Sequence, residues 1–124
     1  MSSPPKTLRV LLVDDDPAVL QVLGAWLRRA EGVELTTAVD ADETVAHCTH
    51  SRFDLVLLDH HMPGRDGSEA LRDILALPTR PRRVVMISGM LDECPDGADR
   101  LLKKPFPLGE IDRELQFVRR RDDS

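Results

Sequence analysis

Two cysteines in 124 residues are the first scarcity. Cys48 and Cys94 stand far apart and form no Cys-x-x-Cys pair, which excludes a disulfide framework and a thiolate zinc site and leaves two reduced, buried thiols as the expectation. Long apolar runs are lacking as well. None approaches the roughly 18 residues of a membrane span, and Met1 to Lys6, with Pro4 and Pro5, has no apolar stretch of the signal-peptide kind. A cytoplasmic protein without membrane contact is therefore expected. Positive charge is outnumbered, 17 Lys and Arg against 22 Asp and Glu, for a formal net charge of -5. With no large basic patch, a surface built mainly to neutralise phosphate backbones is excluded, and no direct nucleic-acid partner is expected. Aromatic side chains are few: one Trp, three Phe and no Tyr.

What is present is 41% hydrophobic, enough at this length for one core and one domain. That domain is expected over residues 7–119, between a disordered tail at 1–6 and a frayed charged end at 120–124. Leu8 to Val13 is a nearly continuous apolar run, the pattern of a strand buried on both faces, and it stops at Asp14, Asp15 and Asp16. Asp16 before Pro17 predicts a helix start, with Val19, Val22, Leu23, Trp26, Leu27 and Ala30 as the inward stripe. A second strand is read over 33–39, then a helix capped by Asp40 or Asp42 that turns Ala41, Val45 and Cys48 inward. Leu55 to Leu58 is a third strand ending in Asp59, and Ala70, Leu71, Ile74 and Leu75 mark a third helix that stops before Pro78. Val84 to Ile87 is a fourth strand ending in Ser88. Leu101 to Lys103 suggests a short fifth, followed by Lys104, and Leu108, Ile111, Leu115 and Val118 mark the last helix. Trp26 and the Phe residues read as core, and the Arg119 to Arg121 run as a solvated end.

Short apolar strands alternating with amphipathic helices predict an α/β fold, a doubly wound five-stranded parallel sheet with helices on both faces. Ligands in such sheets sit beyond the carboxyl ends of the strands. The polar residues expected there are Asp14, Asp15, Asp59, Ser88 and Lys104, drawn from four strands. Carboxylates brought together repel, so they take up a proton or hold a hard cation, and oxygen donors of this kind suit magnesium. A lysine can pair with a carboxylate or a phosphoryl oxygen, and a serine offers a hydroxyl donor. These parts describe phosphoryl transfer to a carboxylate. His60 and His61, adjacent in an extended segment, point to opposite sides and cannot chelate one metal well. His47 and His50 share helical spacing but lack further ligands, and read as solvated helix residues.

The motifs VDDDP (13–17), LLDHHMPGRDG (57–67), VMISG (85–89) and KKPF (103–106) follow one another in order. In this the chain resembles the receiver domain of bacterial two-component response regulators, over about Leu8 to Val118. The resemblance implies a flavodoxin-like receiver fold and Asp59 as phosphoacceptor. Asp14, Asp15, Asp59 and the His61 main-chain carbonyl would hold Mg2+, with Mn2+ able to substitute. Ser88 would contact the phosphoryl group, Lys104 would pair with it, and the bond before Pro105 would be cis. It further implies a histidine kinase or histidine phosphotransfer protein as donor, a downstream protein target, and no enzymatic activity beyond self-catalysed phosphorylation and dephosphorylation. The His61 side chain, two residues past Asp59, could reach an attacking water and tune the phosphoryl lifetime. The ends of the chain allow either a stand-alone protein or a domain of a hybrid kinase or longer regulator.

Two departures from that family stand out. Leu101 occupies the position, three before the lysine, where receivers commonly carry a switching aromatic, often tyrosine. Only 15 residues, Gly89 to Lys103, separate Ser88 from Lys104, and they include Pro95 and Gly97, so the fourth helix is expected to be a single turn or missing. A homodimer through the usual fourth helix, fifth strand and fifth helix is then disfavoured, and another face, such as the first helix and its neighbours, is the alternative. Two rival functions remain at this level. One is a receiver-shaped interaction module that needs no phosphate. The other is a phosphatase of the haloacid dehalogenase class, whose opening D-x-D is superficially met by Asp14-x-Asp16, but which needs a further acidic pair after the lysine strand.

Overall fold

The computed structural model describes the backbone of residues 7–123 and the side chains through Arg121; the tail expected at 1–6 lies outside the described residues. Five strands, β1 (Leu8–Val13), β2 (Val33–Ala38), β3 (Leu55–Asp59), β4 (Val84–Ser88) and β5 (Arg100–Lys103), alternate with helices α1 (Pro17–Arg28), α2 (Ala41–His50) and α3 (Gly67–Leu75). A last helix, α4 (Gly109–Asp123), closes the chain, so the end expected to fray is helical through Asp123. All strand pairs are parallel, in the order β2-β1-β3-β4-β5.

The two-residue period of a strand splits the core in two. Leu11, Val13, Val56, Leu58, Val84 and Met86 face α2 and α3, where Cys48, Ala70, Leu71 and Ile74 cover them. Val10, Leu12, Leu55, Leu57, Val85 and Ile87 face α1 and α4, where Leu23, Leu27, Ile111, Leu115 and Val118 close the second layer. A strand covered on both faces is apolar on both, which is why β3 and β4 carry unbroken apolar runs up to Asp59 and Ser88 and β1 is apolar but for exposed Arg9. The helix starts are set by side-chain caps: Asp16 accepts from the Ala18 N–H, Asp40 from Glu43 and Asp66 from Glu69. Of the two candidate caps for α2, Asp40 is the one used.

No helix joins β4 to β5; residues 89–99 run as bends and turns. Gly97 makes this short crossing with φ of +93°, and a Cβ there would sit 2.6 Å from Leu75 Cδ1. The bare crossing overturns one expectation. Cys94 has no helix face to turn inward and is exposed, while Cys48 on α2 is buried. Burial pushes the Cys48 thiol up to about 11, so it has almost no thiolate near neutrality. Native labelling with iodoacetamide at pH 8 should therefore add a single group, at Cys94, with Cys48 following only in denaturant. Modification of both thiols at similar rates under native conditions would contradict this packing.

Three more expectations are corrected. Val22 is 58% exposed, because the buried line of α1 runs through Leu23 and Leu27, and Val22, about 100° round the helix from Leu23, falls at its edge. Phe117 is 43% exposed on α4, with Arg83 stacked over its ring at 4.1 Å. The Arg119–Arg121 run is not simply a solvated end, since Arg119 donates to the Glu31 carbonyl. Glu114, 2% exposed, is held by Arg83 at 2.6 Å and by Arg100 at 2.7 Å, so an ionic network ties α4 to the amino ends of β4 and β5.

Candidate functional site

The strand order places the site. From β1 the chain winds outward to β2, then returns to place β3 on the other side of β1, so the connections leaving β1 and β3 part and open a crevice at their carboxyl ends. Asp14 leaves β1 with its N–H donated to the Ala38 carbonyl at 3.1 Å, and its Oδ1 accepts the Asp16 N–H at 2.9 Å. Asp59 is the last residue of β3, and the next N–H, of His60, is donated to Ile87 at 2.9 Å. The Lys104 N–H is donated to the Ser88 carbonyl at 2.9 Å, which brings the β5 end alongside the β4 end. Lys104 precedes a cis bond to Pro105.

Of the five residues named from the sequence, Asp14, Asp15, Asp59 and Lys104 bring their side chains together. One oxygen from each of Asp14, Asp15 and Asp59 lies within 4.8 Å of the others, with Asp14 and Asp59 buried and Asp15 exposed. Lys104 Nζ sits 3.4 Å from Asp14 Oδ2 and 3.3 Å from Asp59 Oδ1. Burial raises the Asp59 carboxyl above the usual carboxylate range, the Asp14 charge raises it further, Lys104 pulls it back, and Asp15 adds a smaller push. Burial works against the Lys104 ammonium, yet Asp59 and Asp14 outweigh it and hold the lysine above its ordinary value. Two buried acids, a third at the rim and one cation between them leave surplus negative charge. Three oxygen donors converging in this way suit a hard divalent cation entering from the Asp15 side.

Buried Ser88 places its Oγ as acceptor for the N–H groups of Met90 at 2.9 Å and Leu91 at 3.0 Å. Its hydroxyl proton is thus left to donate elsewhere. Asp16 stays outside the cluster, capping α1 through Ala18 N–H, so the D-x-D reading loses its second acid. His61 is exposed in the loop after β3, and His47 and His50 lie apart on α2. Gly67, the last residue of the LLDHHMPGRDG motif, is not among the site residues named from the sequence. Its N–H is donated to the His60 carbonyl at 2.8 Å, and a Cβ there would meet the Asp59 carbonyl oxygen at 2.6 Å, so α3 starts directly against the backbone that carries the acid. The Asp66-Gly67 pair, a cap followed by a residue without a side chain, was the available signal.

A family model described as the response regulator receiver domain matches residues 10–116. The chain belongs to that family. This receiver domain is 36% identical over 121 residues to the transcriptional regulatory protein PrrA of Mycobacterium tuberculosis, a match covering 94% of the chain and 52% of PrrA. It is 36% identical over 120 residues to the transcriptional activator protein PfeR of Pseudomonas aeruginosa, covering 91% of the chain and 38% of PfeR. The chain therefore spans about half or less of those relatives. Among solved structures, the receiver domain of the sensor histidine kinase PA1611 from Pseudomonas aeruginosa superposes with a TM-score of 0.82 at 28% identity, covering 91% of this chain and 98% of that one. That structure has a magnesium ion coordinated in its active site cleft. The chemotaxis response regulator CheY4 of Vibrio cholerae gives a TM-score of 0.79 at 28% identity, covering 91% and 99%. The fold and the family are those of two-component signalling.

Proposed function

We propose that this receiver domain accepts a phosphoryl group on Asp59 from a phosphohistidine of a kinase or phosphotransfer protein, or from a small phosphodonor, in the cytoplasm. The observation that carries the reading is the placement of Lys104 Nζ between Asp14 and Asp59, with Asp15 completing the acidic triad. An Asp59 oxygen attacks phosphorus in line, the bond to the imidazole nitrogen breaks, and the imidazole leaves with the electron pair. The Asp14, Asp15 and Asp59 carboxylates and the His61 carbonyl would hold Mg2+ or Mn2+, which when bound supplies charge neutralisation for the phosphoryl oxygens. Lys104 offers a second cation to those oxygens. Ser88 can donate its hydroxyl to a phosphoryl oxygen by moving Oγ, and that movement gives up its bonds to Met90 and Leu91. The loop after β4 is released as the site fills, which couples phosphorylation to a surface change without an aromatic at Leu101. Water attack on the acyl phosphate resets the domain.

The donor protein has a place to sit. Exposed Val22 lines an apolar groove of about 410 Å3 with Val19, Leu23, Pro105, Phe106 and the stem of Lys104. Because Lys104 borders both groove and site, a partner helix lying on α1 brings its histidine beside Asp59. Val22→Glu should slow transfer from the cognate phosphodonor protein by about tenfold or more and leave labelling by acetyl phosphate at the parental rate. Equal slowing with both donors would place Val22 in the chemistry rather than in docking, and no slowing with either would remove this face as the docking surface.

A further inference from the structure

The loop joining β3 to α3, residues 60–66, carries the His61 carbonyl read above as a cation ligand, yet its main chain is thinly held. At its ends the His60 N–H is donated to Ile87 at 2.9 Å, and the His60 carbonyl accepts from Gly67 at 2.8 Å. Between these anchors, residues 61–65 form no hydrogen bond with another main-chain group among the described residues. Gly64 turns the chain with φ of +80°, and His61, Pro63 and Gly64 are exposed. Two side chains tie the stretch down. Met62 is buried in the core layer shared with α2 and α3, and Arg65 reaches three acids on those same helices.

Arg65 Nη1 lies 3.2 Å from Asp42 Oδ1 on α2 and Nε lies 3.6 Å from Glu69 Oε2 on α3, while Nη2 pairs with Asp73 one turn further along α3. A hollow of about 190 Å3 lies between Pro63–Arg65 and the start of α2 at Asp40, Ala41 and Asp42. Close packing therefore does not seat the loop on α2, and the guanidinium spans the gap. A single exposed ion pair contributes little. One planar fork shared by three carboxylates from two helices has few arrangements, and it fixes the main chain that carries it.

We propose that Arg65 is a positioning residue for the cation: by tying the loop to α2 and α3 it holds the His61 main chain in one arrangement before the ion arrives. Less ordering then remains to be done on binding. This rests on the reading that Asp14, Asp15, Asp59 and the His61 carbonyl hold Mg2+. Charge alone predicts the opposite effect. Removing the arginine leaves three acids uncompensated at the carboxyl end of the sheet, which draws a divalent cation in more strongly, whereas loss of positioning weakens its binding. The sign of the change separates the two.

The test titrates the 15N-labelled full chain with MgCl2 at constant ionic strength and follows the amide shifts of Asp14, Asp15 and Asp59. Arg65→Gln should weaken Mg2+ binding about tenfold, and Arg65→Lys, which keeps the charge but not the fork, should fall between it and the parent. Without Mg2+, the amide order parameters of His61, Met62 and Gly64 should drop in Arg65→Gln while those of β1 and β3 hold. Parental or tighter Mg2+ affinity in Arg65→Gln overturns the proposal, as does weakening that comes with loosening of β1 and β3. Asp14→Asn tests the reading underneath. If it leaves Mg2+ affinity at the parental value, the acidic triad is not the cation site and both readings fall; if it weakens Mg2+ while Arg65→Gln does not, the assignment of Arg65 falls alone.

Discussion

Asp59→Asn is expected to abolish phosphorylation outright. Incubated with Mg2+ and acetyl phosphate, the parent chain should gain one phosphoryl group by intact mass, and the variant none, because the amide is a far poorer nucleophile and a poorer cation ligand than the carboxylate it replaces. Chelation of the cation should remove labelling of the parent. The variant should nonetheless fold, and without divalent cation it should be at least as resistant to heat as the parent at neutral pH. The sign follows from the raised Asp59 carboxyl. A carboxyl that binds its proton more tightly in the folded chain than in the unfolded one costs stability while charged. That cost fades as pH falls through its folded value. The melting advantage of Asp59→Asn should accordingly shrink as pH is lowered below neutrality. Labelling that persisted in Asp59→Asn and vanished in Asp14→Asn would instead make Asp14 the nucleophile and favour a phosphatase-like reading.

Glu114→Ala should be the most damaging substitution away from the site. Glu114 is 2% exposed and anchors Arg83, itself nearly buried, together with Arg100. Removing it leaves Arg83 desolvated without a counter-charge, a change that costs about 3–5 kcal/mol where a buried pair is broken. Against a total stability of about 5–15 kcal/mol for a domain of this kind, that is a large share. The urea midpoint should fall accordingly, with an unchanged slope. Glu114→Gln, which keeps an acceptor oxygen for the Arg83 guanidinium, should fall between the two. A loss below about 1 kcal/mol in Glu114→Ala would mean that water reaches Arg83 and that the network is a surface one.

The layers of this fold were readable in the chain because their causes are local. Apolar runs of strand length mark elements covered on both sides, and Asp16-Pro17 marks a helix start whatever surrounds it. The short crossing after β4 was equally legible, since the residues available between Ser88 and β5 leave no length for a stable helix and its turns. The five site residues could be named because in a parallel sheet the carboxyl end of every strand faces the same way. Exposed positions were less legible. Val22 and Phe117 are apolar residues on amphipathic helices, and nothing in the helical period says which edge of the stripe the neighbouring element will cover. Cys94 was expected inside on composition alone, and the absence of a helix around it decided otherwise.

By itself, then, the sequence determined the number and kind of elements, the parallel sheet, the acids and lysine at its carboxyl end, and the family to which the ordered motifs belong. Tertiary structure alone decided the distances between those residues: Lys104 between Asp14 and Asp59, Gly67 against the Asp59 backbone, and Ser88 Oγ against the N–H groups of Met90 and Leu91. It alone decided that Glu114 is buried with two arginines. The physical reason is one of range. Propensity, capping and strand period act over a few residues, whereas desolvation and charge pairing depend on which atoms from distant segments end up within a few ångströms.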